Sequence, residues 1–160
     1  IGSLHDSTIF LMVMLMFIGA GSASTGGGIK LTTFVVIVFS VWAFLRSRED
    51  IVLLKRRLLP LHVFKALAIT MISIMFVFGA IFLLNISENL PFIKIMFEVV
   101  SAFGTVGLSM GATPELSYFG RVIIIFIMFL GKVGPLTLAF SLSKQKREAV
   151  RYPNEDIMLG

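Results

Sequence analysis

Asn89-Leu90-Pro91-Phe92-Ile93-Lys94-Ile95-Met96-Phe97-Glu98-Val99-Val100-Ser101-Ala102-Phe103-Gly104-Thr105-Val106-Gly107-Leu108-Ser109 decides the architecture of this chain. From Asn89 to Phe103 the run is apolar and helix-like, with Asn89 suited to capping and Pro91 in the first turn, where proline is tolerated. At about 1.5 Å per residue that helix reaches only about 22 Å, short of the roughly 30 Å of hydrocarbon in a bilayer. It ends in Gly104-Thr105-Val106-Gly107-Leu108-Ser109, and Met110 to Ser117 leads back outward. A short helix that enters and returns needs longer neighbours, and both are present. Pro60 marks the start of a first span, His62 to Leu84, with Lys65 near its inner end, and Tyr118 to Leu142 is the span that follows.

The composition agrees with a membrane setting. Of 160 residues 57% are hydrophobic and 14% charged, with a mean hydropathy of +0.97. A soluble domain carries about 25% charged residues. There is no cysteine, and the two histidines, His5 and His62, stand far apart. That excludes a disulfide framework and a thiolate metal site, and no acid–base pair or nucleophile–histidine set points to an enzyme. The net charge of +5 gathers in two places. Arg46, Arg48, Lys55, Arg56 and Arg57 outweigh Glu49 and Asp50, and Lys144, Lys146, Arg147 and Arg151 mark the tail. Basic clusters beside apolar runs are the pattern of cytoplasmic loops and need no nucleic-acid partner. With alternating spans and a re-entrant short helix, residues 46–61 and 144–160 fall on one face, the cytoplasmic one. Ile1 and the 85–89 turn fall outside.

Upstream, Thr8 to Leu45 is apolar with only Lys30 charged, nearly twice the length needed to cross. Gly19-Ala20-Gly21-Ser22-Ala23-Ser24-Thr25-Gly26-Gly27-Gly28 interrupts it. Each interior glycine costs a helix about 1 kcal/mol relative to alanine, so helix, irregular loop and helix are predicted. Irregular backbone at membrane depth survives only where protein buries it or water reaches it, which makes the loop a functional candidate. Gly21 and Gly26 have the spacing of a phosphate-binding loop, but Gly27, Gly28 and Ile29 intervene before Lys30, and no strand precedes. Nucleotide binding by this chain is excluded. Met12, Met14 and Met16 read as packing or lipid-facing residues, and Lys94 and Glu98, four apart, as a possible pair on the short helix.

Span, re-entrant helix, Thr-Val-Gly turn and span together make a cation pore unit. The helix points its partly negative C-terminal end toward mid-membrane, where it favours a cation. Potassium filters of sequence TVGYG replace the ion's water with backbone carbonyls. Thr105-Val106-Gly107-Leu108-Ser109 matches the first three positions and departs at the last two. The K⁺ ligands expected are the backbone carbonyls of Thr105, Val106 and Gly107, with Leu108 completing the filter.

Three separated motifs make a resemblance specific. Ser101 to Ser109, Gly21 to Lys30, and Gly131-Lys132-Val133-Gly134-Pro135-Leu136-Thr137 together resemble the Trk/Ktr/HKT superfamily of potassium transporters, nearest to the membrane subunits of bacterial Ktr uptake systems. The ending Tyr152-Pro153-Asn154-Glu155-Asp156-Ile157 is similar to the tail of such subunits.

The resemblance implies an all-α membrane protein with four linked span–pore–span repeats around one pore. Residues 1–45 would be the last, broken transmembrane segment of the third repeat, 46–61 a basic loop, 62–143 the fourth repeat and 144–160 the tail. The chain, starting at Ile1 without methionine, would be a piece of that larger protein. Gly107 becomes the fourth filter glycine. The loop of Gly19, Gly21, Ser22, Ser24, Thr25, Gly26, Gly27 and Gly28 becomes a movable gate beneath the filter. Lys132, midway along the last span, stands where the family usually has arginine; it is expected to touch the gating loop and set the potential there. Lys30, just after the loop, either shares that role or pairs with carbonyls at a helix end.

The implied activity is K⁺ uptake into the cell across the plasma membrane, with Na⁺ as a possible co-ion and no covalent cofactor. The implied partners are the rest of the four-repeat subunit, a second identical subunit, and a cytosolic regulatory subunit that binds ATP or ADP. A one-repeat subunit of a tetrameric two-span channel is the alternative, and the broken first span argues against it. A non-conducting scaffold leaves both the glycine loop and the filter-like turn unexplained.

Overall fold

A computed structural model describes residues 1, 4–21, 24–46, 52–53 and 56–134. Ser22 of the glycine-rich loop, Pro135 to Thr137, the remainder of the expected last span and the tail 144–160 lie outside the described residues.

The chain is helical. Helices α1 (Asp6–Phe17) and α2 (Leu31–Leu45) flank the glycine-rich stretch, so the long apolar run does leave the helical state there. A short antiparallel pair, β1 (Val52–Leu53) with β2 (Arg56–Arg57), follows in the basic loop. Then come α3 (Pro60–Ser87), α4 (Phe92–Gly104), a 3-10 turn (Thr113–Glu115) and α5 (Tyr118–Val133).

Helix α3, with 28 residues, is long and apolar enough to cross a membrane. Its proline sits at the first helical position, where the missing amide is no loss. Ser73, Val77, Ala80, Ile81 and Leu84 form its buried stripe at helical spacing. The one hydroxyl in that stripe is satisfied: Ser73 Oγ donates to Ile69 O at 2.7 Å. The opposite face leaves Phe64, Met75, Phe78 and Phe82 exposed, an apolar surface of the kind that lipid or further protein covers.

Helix α4 is the centre. Every residue from Phe97 to Gly104 is buried, on all sides of the helix, with α1, α3 and α5 packed around it. Its second half is buried on every side even though it carries Glu98 and Ser101. Its start differs from the expected one: Pro91, not Asn89, occupies the capping position, and no side chain caps the end.

Ser117 caps α5 and accepts from Gly120 N at 3.1 Å. The Ser117 hydroxyl and amide in turn donate to the carboxylate of Glu88, the residue that ends α3, the amide at 3.0 Å. Those two donors hold the Glu88 carboxyl below the ordinary carboxylate range. The close of α3 is thereby fastened to the start of α5, outside both helices.

At the other end, α5 stops at Val133 and Gly134 turns away at φ 88°. Lys132 stands in the last turn of α5 as far as the described residues run, and residues 135–142 of the expected last span lie outside them. On α2 the Arg46 guanidinium lies 4.2 Å from the Trp42 ring centre, an aromatic–basic pairing suited to a membrane–water boundary.

The α4–α5 crossing is close because Gly131 has no side chain. A β-carbon there would stand 1.9 Å from the carbonyl oxygen of Phe103, a backbone atom with nowhere to go. Forcing extra volume into a packed contact costs about 1–3 kcal/mol. Gly131→Ala should therefore lower the thermal unfolding midpoint of the full-length protein in detergent. Gly79→Ala on α3, where a β-carbon meets nothing within 4 Å in this chain, should not. Equal midpoints for the two variants would refute the close-contact argument.

Candidate functional site

The last turn of α4 closes with two crossed bonds. Thr105 N donates to Ala102 O at 3.1 Å and Val106 N to Ser101 O at 3.0 Å, a 5→2 and 6→1 pair. The closing residue is in the left-handed region, and here it is Thr105, φ 51°, rather than glycine. A β-branched residue in that region is an outlier that its surroundings must hold. The holding contact is visible: Thr105 Oγ1 accepts from Gly27 N at 2.7 Å, joining the turn to the glycine-rich loop across 78 positions of sequence.

Beyond Thr105 the chain is open. Val106 is 43% exposed and Leu108 37%, and Gly107, also exposed, sits at φ 81°. That angle is ordinary for glycine and costly for other residues. The structure thus brings Thr105, Val106, Gly107 and Leu108 together as one exposed turn at the C-terminal, partly negative end of a buried helix.

The loop is closed at its root. Ile18 and Ile29 form a parallel bridge, Gly19 N donates to Ile29 O at 2.8 Å, and Leu31 N to Ala20 O at 3.3 Å. Gly27 lies against the end of α4: a β-carbon on it would come within 2.7 Å of Phe103 O. The same carbonyl faces Gly131 from the other side, so two glycines from distant segments clasp one oxygen.

Two ammonium groups hold the far side of the loop. Lys30 Nζ donates to Gly26 O at 2.7 Å and to Ser24 O at 3.3 Å, and Lys132 Nζ donates to Thr25 O. Three successive carbonyls, Ser24, Thr25 and Gly26, are thus bound by cations from two different helix ends. Gly21 lies at the free side of the loop, with nothing within 4 Å of where its β-carbon would be. Lys30, at the start of α2, thus binds carbonyls of the glycine-rich loop, a contact that both readings of Lys30 share.

Glu98 and Lys94 do not pair with each other. Lys94 Nζ reaches Glu115 at 3.5 Å, while Glu98 accepts from Ser109 Oγ at 2.7 Å and from Thr113 Oγ1. The partners lie 11 and 15 residues away across the turn, where no helical periodicity signals them.

Comparison with known proteins gives a consistent result. A family model described as TrkH, cation transport protein, matches residues 1–150. The chain is 51% identical over 159 residues to the "Ktr system potassium uptake protein B" of Bacillus subtilis (strain 168), covering 99% of this chain and 36% of that protein. It is 45% identical over 152 residues to the protein of the same name from Vibrio alginolyticus, covering 95% and 33%. It is 37% identical over 159 residues to the "Potassium/sodium uptake protein NtpJ" of Enterococcus hirae, covering 95% and 35%. The chain spans about a third of the length of these relatives.

Proposed function

Since the chain belongs to the TrkH family of cation transport proteins, we propose that it supplies one filter segment and the gate of a potassium uptake pore. The turn Thr105–Leu108 offers the main-chain oxygens of Thr105, Val106 and Gly107 to a dehydrated K⁺, assisted by the negative end of α4. One turn makes a quarter of a ring, and the rest of a longer polypeptide provides the other three. The loop Gly19–Gly28 lies across the path beneath it. Lys30 and Lys132 keep it there by binding its carbonyls.

The observation that carries this reading is the hydrogen bond from Gly27 N to Thr105 Oγ1 at 2.7 Å, which ties the loop directly to the first residue of the turn. Neither an ordinary helix–helix link nor a packing scaffold requires an irregular glycine segment pressed against such a turn. The protein is multi-pass in the plasma membrane, with residues 46–61 and 144–160 toward the cytoplasm. A paired identical subunit and an ATP- or ADP-binding regulator on that face complete the assembly.

The test is direct. A cell lacking its own potassium uptake, given the full-length protein, should grow in low potassium and accumulate rubidium. Normal amounts of protein in the membrane without either growth or rubidium uptake would sink the proposal.

A further inference from the structure

We propose that Glu98 is the positioning residue of the filter turn, a carboxylate brace behind Thr105–Leu108 that sets how well the pore distinguishes K⁺ from the smaller Na⁺. The proposal rests on the reading of that turn as a filter and adds a residue and a role to it.

Glu98 is only 7% exposed, the one acidic side chain among the buried residues described. A buried carboxylate is costly unless its oxygens are hydrogen-bonded, and both of these are. Oε2 accepts from Ser109 Oγ at 2.7 Å, and Oε1 accepts from Thr113 Oγ1. Ser109 Oγ also accepts from Gly111 N at 3.0 Å, so the chain just past the turn is fixed through its backbone as well.

The geometry makes the turn a segment held at both ends. On the near side Thr105 and Val106 are bonded to the last carbonyls of α4. On the far side Ser109 is bonded to Glu98, which itself projects from α4. Between these anchors only Gly107 and Leu108 are without a described hydrogen bond to α4. A half-open pocket of about 290 Å³ beside the turn is lined by Glu98, Ser101, Gly107, Leu108 and Met128 among others. An unbraced turn has room to shift into that pocket. The carboxylate prevents it by holding Ser109.

A residue with a purely structural part in folding would alter the amount of protein or the maximal rate. A brace alters ion preference. Glu98→Ala and the pair Ser109→Ala with Thr113→Val should each reduce the K⁺-over-Na⁺ preference of uptake about tenfold, the scale of one lost charge-assisted hydrogen bond. Combining all three should add little, because they remove the same contact. Glu98→Gln, which keeps one acceptor and the length, should fall between wild type and Glu98→Ala. The protein used is the full-length one in vesicles, with rubidium and sodium fluxes measured at matched protein amounts. If Glu98→Ala does not reach the membrane, Ser109→Ala alone, which removes one of the two donors, carries the test. An unchanged ion preference in the variants, with selective uptake by the wild type, overturns the brace and leaves the filter reading intact. No K⁺ uptake by the wild type overturns the filter reading, and the brace with it.

Discussion

Replacing Lys132 by glutamine should raise potassium flux through the full-length protein by about tenfold or more. Lys132 Nζ donates to Thr25 O in the middle of the loop proposed to cross the path. Hydrogen bonds involving a charged group contribute about 1.5–3 kcal/mol, and each 1.4 kcal/mol is tenfold in an equilibrium. Losing that bond shifts the loop from closed toward open. Removing the positive charge also lowers the barrier to a passing cation. The two effects have the same sign. Lys30, which binds the carbonyls on either side of Thr25, limits the gain, since it still holds Ser24 and Gly26. Lys132→Arg keeps the charge and adds donors, and should leave the wild-type flux in place. Rubidium influx into vesicles at matched protein content decides it. A glutamine variant with unchanged or reduced influx would mean that Lys132 does not hold the path closed.

Gly107→Ser should have the opposite result, an apparent affinity for potassium about tenfold weaker and relatively more sodium admitted. In this chain a β-carbon at Gly107 meets nothing within 4 Å, so bulk is not the difficulty. The difficulty is φ 81°, where a residue with a side chain pays about 1–2 kcal/mol. The exposed backbone can relieve that strain by rotating the adjoining peptides, which would turn a carbonyl away from the ion site proposed above. A strain of that size corresponds to about tenfold in binding. Folding is expected to survive, because Gly107 is exposed and a side chain there meets nothing of the packed core. Concentration dependence of uptake is the measurement. An affinity identical to wild type would separate Gly107 from ion binding.

The features written locally in the sequence were legible, and those made by distant segments were not. Glycines at helical positions announced the break between α1 and α2, and an apolar run too short to cross announced α4. The contact between Lys132 and Thr25 O, 107 positions apart, is implied by the family resemblance and not by the spacing of the apolar residues around Lys132. Lys94 and Glu98 satisfied the rule for neighbours on one helix face, yet each found a partner outside the helix. A hydroxyl-bearing threonine in the left-handed region could not be foreseen, since local preference disfavours it and only Gly27 explains it. The capping position fell to Pro91 instead of Asn89 by the same kind of override, local preference yielding to how the chain approaches α4.

The bridge between Ile18 and Ile29 bears on how quickly such a pore can respond. With the two roots fastened together, opening need not drag α1 or α2; only the stretch between them has to swing. Motions of that size take about nanoseconds to microseconds, whereas sliding whole helices takes about microseconds to milliseconds. For the gate proposed above, single-channel records of the full-length protein should then show brief flickers inside each long conducting burst.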